Sequence, residues 1–160
     1  MDNQGPLFIG TGDSAPKGSN FKERQAVVTI VRDPKTGKYL TLIWNDDGRQ
    51  TFVTGGIEDG QSAQEAAIAE ITEETGYKNL NFLGKLPNYQ AKFYHPQKDV
   101  NRHAYFQCFF FELANDERTT VSQNESDLHK PIWLSLDELR ENITEEGPLF
   151  LIDYIVKNNL

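Results

Sequence analysis

A single cysteine, Cys108, leaves the 160-residue chain with no disulfide framework and no thiolate zinc site. Cys108 sits in the apolar run Tyr105–Leu113 and reads as a small buried hydrophobe. Histidine is also scarce. His95, His103 and His129 show no short metal-ligand spacing and are read as surface or hydrogen-bonded residues. Positive charge is in deficit: 16 Lys and Arg stand against 24 Asp and Glu, a formal net charge of −8. Such a surface repels phosphate backbones and excludes non-specific nucleic-acid binding, but it still permits a small phosphorylated ligand delivered with metal. No apolar run is long enough to span a bilayer. The start, Met1-Asp2-Asn3-Gln4, lacks the basic segment of a signal peptide, so a cytoplasmic protein with no membrane partner is expected. The glycines of Gly10-Thr11-Gly12-Asp13-Ser14-Ala15 follow no strong strand and precede no apolar helix, which removes a dinucleotide fingerprint. Lys17 lacks the preceding glycine of a P-loop, and Asn45–Gly48 lacks the ligand spacing of a calcium loop.

What is present fits one domain. Residues 1–20, rich in Gly, Ser, Pro and Asp, read as a flexible arm with a short strand at Leu7–Ile9, and residues 21–160 read as the domain. Gln25–Arg32 is apolar on both faces and suits a buried strand. Lys38–Trp44 pairs back after the turn Asp33–Gly37, and Thr51-Phe52-Val53 is a short strand. Ser62 with Glu65 fits a capping box, and Gly76 stands where a left-handed C-terminal residue belongs. Asn79–Leu86, Ala91–Tyr94 and Pro131–Leu134 read as strands, with Ala104–Leu113 as the central one. Ser135 with Glu138 opens a second helix, and Leu149–Lys157 forms a third after Pro148. Strands interleaved with three helices predict an α/β layered domain with a mixed sheet.

The densest chemistry lies at Gly55-Gly56-Ile57-Glu58-Asp59-Gly60 and the helix that follows. At roughly 100° per residue, Glu70, Glu73 and Glu74 fall within a sector of roughly 100°, while Ile68 and Ile71 point elsewhere. The helix therefore presents a carboxylate face beside an apolar face, and like charges at these spacings cost only a few tenths of a kcal/mol per pair, which a solvated surface tolerates. The glycines let backbone approach a ligand and offer main-chain carbonyls. Clustered carboxylates suit a hard divalent cation such as Mg²⁺, and through it a diphosphate.

These residues resemble the Nudix box, G-x5-E-x7-R-E-U-x-E-E-x-G-U, where U is bulky and apolar. Gly55 takes the first position, Glu70 and Ile71 the E-U pair, Glu73 and Glu74 the E-E pair, and Gly76-Tyr77 the end. The resemblance extends over roughly residues 24–157. It implies an α/β/α sandwich with a mixed β-sheet that hydrolyses nucleoside diphosphates linked to another group, using Mg²⁺ or Mn²⁺. Two positions depart: Gln61 replaces the first glutamate and Ala69 the arginine. In the family that arginine braces a catalytic glutamate, so a catalytically weakened binding or insertion module is the competing reading. Lys22–Ala26, Thr51–Glu58, Glu74–Tyr77 and Asn101–Ala104 also look like the Nudix-like module inserted in some bacterial leucyl-tRNA synthetases.

On this resemblance Glu70, Glu73 and Glu74 would hold the metal, with a carbonyl of Thr54 or Gly55 as a further ligand. Water would attack a phosphorus in line, and Glu74, or Glu125 from the polar loop Ser122–Asp127, would act as base. Gly55, Gly56, Phe93 and Arg102 are the substrate-binding candidates, through backbone approach, ring stacking and a phosphate pair. Trp44 and Trp133 read as strand packing. The partner expected is a small nucleotide diphosphate, with a homodimer left open.

Overall fold

The computed structural model describes residues 4–160. Residues 1–3, which begin both the expected arm and the stretch read for a signal peptide, lie outside the described residues. The strands are β1 (Leu7–Ile9), β2 (Lys22–Arg32), β3 (Tyr39–Trp44), β4 (Gln50–Thr51), β5 (Val53–Gly56), β6 (Leu80–His95), β7 (Val100–Leu113) and β8 (His129–Leu134). The helices are α1 (Ala63–Thr75), α2 (Gln123–Leu128), α3 (Leu136–Asn142) and α4 (Glu146–Lys157). Among the described residues no helix is long and apolar enough to cross a membrane.

The strands form one mixed sheet ordered β1-β6-β7-β2-β3-β4, with β5 on β2 and β8 on β3. The β1–β6 and β2–β7 pairs are parallel, and the others are antiparallel. Side-chain alternation along β2 and β7 divides the core. Val28, Ile30, Cys108 and Phe110 pack with Leu139, Leu151, Ile152 and Ile155 of α3 and α4. Val27, Val31, Phe109 and Phe111 pack with Ala66, Ala67 and Ile71 of α1. Helices therefore cover both faces, as an α/β/α sandwich requires, and the strand apolar on both faces is central because each face is buried. Cys108 is fully buried, and burial pushes its thiol well above the usual range.

Several expectations need correction. The two strands expected at Asn79–Leu86 and Ala91–Tyr94 are one, β6, which passes Pro87 through a register shift between Leu86 and Tyr89. The short strand expected at Leu7–Ile9 is present and pairs with Gln90–Lys92, and Asn101 binds the Lys17 backbone, accepting from its N–H at 2.8 Å and donating to its carbonyl. A fourth helix, α2, occupies most of the stretch expected to be the loop Ser122–Asp127.

Gly147 lies in the first turn of α4, where alanine would ordinarily favour the helix by about 1 kcal/mol. Here a Cβ would overlap the ring of Tyr89, itself buried against Phe8, Phe106 and Phe150. Overpacking of a filled core costs about 1–3 kcal/mol. Gly147→Ala is therefore expected to lower stability in urea unfolding, and a gain would contradict this packing.

Candidate metal and phosphate site

The site is built at the end of β5 and the start of α1. Gln61 closes the intervening loop by two bonds to Glu58: its backbone N–H donates to the Glu58 carbonyl, and its side-chain oxygen accepts from the Glu58 N–H, both at 3.1 Å. Ser62 then caps α1, its hydroxyl accepting from the Glu65 N–H at 3.1 Å. At the other end Gly76 is left-handed, with φ of 84°. The Arg118 guanidinium donates two bonds to the Thr75 carbonyl, at 3.0 and 2.8 Å, and sets a positive charge against the negative end of the helix. The helix is thus fixed at both ends and cannot slide its glutamates along β5.

Glu70 lies against the backbone of Gly55, where a Cβ would overlap its carboxyl group. The close approach expected of this glycine is thus made by a glutamate of the chain itself. The face is only partly open to solvent. Glu73 is exposed, but Glu70 and Glu74 are partly buried, because α1 packs on β5 and α2 closes over it.

Helix α2 brings Glu125 to this face. Its Ser122 cap accepts from the Glu125 N–H at 3.3 Å, and its far end is held by Asn45, which donates to the carbonyls of Leu128 at 2.9 Å and Asp127 at 3.0 Å. Glu125 Oε2 meets His129 Nε2 at 2.8 Å. Of the two alternatives for this histidine, the hydrogen-bonded one holds: His129 is buried at the start of β8, edge-on to Trp44. One ligand atom from each of Glu74, Glu125 and His129 falls within 4.8 Å of the others, a grouping that could hold a metal ion. Glu74 Oε2 is buried without a hydrogen-bond partner, which suits an oxygen that coordinates a cation.

The electrostatics agree. Burial, then the charge of Glu73, raise the Glu70 carboxyl to about 7. Burial, then the charges of Glu70 and Glu125, raise Glu74 to about 9. Without a cation this cleft holds its negative charge poorly, and a divalent ion would take the place of the proton on Glu74.

The other candidates lie around β5 and on β6 and β7. Thr54, Gly55 and Gly56 pair with Val28, Val27 and Ala26 of β2. Phe93 and Arg102 are directly opposite each other on β6 and β7, so their side chains share one sheet face. Trp44 and Trp133 are packing residues, with their indole N–H groups bonded to Thr51 and the Tyr77 hydroxyl. Two residues escaped the sequence reading. The i,i+4 spacing of Glu125 and His129 would have linked that pair, had the segment been read as a helix. Arg24 would have been found by continuing the alternation of Ala26 and Val28 two residues back along β2. Its guanidinium lies beside Gly56, where a Cβ would stand 2.7 Å from Nη2.

A carboxyl whose folded pKa exceeds its unfolded value binds more protons folded than unfolded, so stability falls as pH rises between the two. For Glu74 that window runs from the ordinary 4.5 to about 9. In chelator, the thermal midpoint is expected to fall across this window. Glu74→Gln is expected to flatten the fall and to melt higher at its alkaline end. A wild-type midpoint unaffected by pH over this range would contradict the burial of the carboxylates.

Comparison with known proteins agrees with this geometry. Residues 22–153 match the NUDIX domain family. Nudix hydrolase 25 of Arabidopsis thaliana is 31% identical over 101 residues, covering 56% of this chain and 58% of the relative. The chain thus aligns with little more than half of that curated relative's length. The NUDIX domain of Shewanella oneidensis NrtR, solved with ADP ribose, shares the fold at a TM-score of 0.64 and 11% identity, over 87% of this chain and 90% of that one. Dihydroneopterin triphosphate pyrophosphohydrolase of E. coli shares it at 0.63 and 16% identity, over 88% of this chain and 99% of that one. With the family matched from β2 into α4 and the glutamates of its box gathered on α1, Glu70 against Gly55, the chain belongs to the NUDIX domain family.

Proposed function

We propose that the protein is a divalent-metal-dependent hydrolase of the diphosphate linkage in nucleoside diphosphate derivatives. The observation that carries this reading is the convergence of Glu70, Glu74 and Glu125 with His129 around buried, partly unsatisfied carboxylate oxygen. The family of the chain and the ADP ribose bound by the NrtR domain support the substrate class.

In this reading Glu70, Glu73 and Glu74 hold Mg²⁺ or Mn²⁺, with a carbonyl of Thr54 or Gly55 as a further ligand. The ion supplies Lewis acidity for water and charge neutralisation on the leaving phosphate. Glu125 is the base: His129 holds one of its oxygens and leaves the other to accept a proton from water. Gly55 and Gly56 bring the backbone edge of β5 to the diphosphate. Phe93 offers a ring to the base or linked group, and Arg102 a guanidinium to a phosphate. A cytoplasmic enzyme working on a small nucleotide, alone or as a homodimer, completes the reading.

The second reading, a NUDIX-fold binding module without turnover, rests on one observation: Ala69 supplies no charged side chain to brace a catalytic glutamate. A panel of nucleoside diphosphate derivatives assayed with Mg²⁺ and Mn²⁺ separates the two. The hydrolase reading expects released phosphorus products, a fall in kcat of about 100-fold or more for Glu125→Gln, and comparable loss for Glu73→Gln or Glu74→Gln. Unchanged turnover in these variants would overturn the assignment. No turnover on any substrate, in the natural chain or in Ala69→Arg, would decide for the binding module.

A further inference from the structure

Strand pairing places a set of cations on the sheet face opposite α1. Lys22, Arg102 and Phe93 lie side by side across β2, β7 and β6. Arg24 pairs with Ala104, two residues along β7 from Arg102, which makes the two arginines diagonal neighbours on that face. His95 lies two residues beyond Phe93 on β6 and points the same way.

The set has little to neutralise it within the chain. Arg102 is only 8% exposed, yet its Nε has no hydrogen-bond partner, and neither does the buried Nδ1 of His95. Among the described residues neither Arg24 nor Arg102 joins an ion pair. The titration directions agree: Arg24 is lowered by burial and then by Arg102, and His95 by burial and then by Lys98, Arg102 and Arg24. Glu70 is the carboxylate whose charge acts on Arg24, from the far side of the Gly55–Gly56 backbone. A buried guanidinium nitrogen left unpaired is costly, so a position that keeps Arg102 in that state beside the half-buried Arg24 is suited to an incoming anion.

We propose that Arg24 and Arg102, with His95, form an anion subsite for a phosphate of the substrate beyond the metal-bound diphosphate. Two planar forks match tetrahedral phosphate oxygens better than a single carboxylate, and the concentration of positive charge suits a group carrying more than one negative charge. Gly56 is part of the design, because any side chain there would meet the Arg24 fork. The inference deepens the hydrolase reading and rests on it for where the diphosphate lies: the group linked to the diphosphate is itself a phosphate or carries one. This phosphate has two sources, the terminal phosphate of a nucleoside triphosphate or an ester on a linked sugar.

The test has two parts. The first compares kcat/KM for a nucleoside triphosphate, a nucleoside diphosphate sugar, and the same sugar bearing a phosphate ester. Hydrogen bonds to a charged group are worth about 1.5–3 kcal/mol, or about 10- to 100-fold. Arg102→Gln and Arg24→Gln are expected to lower the preference for the phosphate-bearing substrates over the neutral sugar by that factor, mostly through KM. The arm that loses more identifies the source. The second part measures binding of inorganic tripolyphosphate in chelator, independent of turnover. Folded natural protein is expected to bind it at least tenfold more tightly than either Gln variant, with Arg102→Lys between them as a charge-retaining control should Arg102→Gln fail to fold. Equal losses on all three substrates, or tripolyphosphate affinity unchanged in the variants, would overturn the subsite. Absence of turnover with tripolyphosphate binding intact would overturn the hydrolase reading instead.

Discussion

Glu74 and Glu125 belong to different helices, and the site depends on their being held together against their own repulsion. Neither helix gains from the arrangement by itself. Helix α1 is fixed by Ser62, Gly76 and Arg118, and α2 by Ser122, Asn45 and the His129 bond. The rest of the domain acts as a frame that sets the distance between two like charges. Where a frame imposes that, either a proton or a cation must share the space. Glu74, raised to about 9, takes the proton when no cation is present.

The same constraint shapes the backbone around it. Gly55 has no side chain because Glu70 occupies that volume, and Gly56 has none because Arg24 does. Two adjacent glycines thus separate an acidic side from a basic one across a single strand edge. A substrate with a diphosphate and a further phosphate carries several negative charges. It would meet cations on both sides, the metal held by the glutamates and the guanidinium groups of β2 and β7. The chain's net charge of −8 does not oppose this, since local charge at short range outweighs a surface screened by salt.

Much of this was legible because its signals are local. Gly55–Gly60, the Ser62 cap, the glutamate spacing and Gly76 fix a loop, a helix and its two ends within about two dozen residues, and all stand where the spacing puts them. The aromatic run of β7 declared a strand buried on both faces. Three features were illegible for a shared reason, since each depends on contacts distant in sequence. Six residues without an apolar stripe do not announce α2, whose support comes from Asn45 and from the strand that follows it. A stripe of glutamates shows its spacing but not its burial until α2 closes over it. Arg24 reads as a strand flank until β7 places Arg102 beside it. The departures Gln61 and Ala69 were visible, but the structure shows what the first does: its amide fixes the loop through Glu58.

The central claim is that the glutamates of α1 hold a divalent cation beside the Glu125 base of α2. Titration of the metal-free protein with Mn²⁺, followed by electron paramagnetic resonance, tests it most directly. The account predicts saturable binding that weakens strongly in Glu74→Gln, which removes a ligand, and much less in Glu125→Gln, which removes the base. Binding as strong in Glu74→Gln as in the natural chain would contradict it.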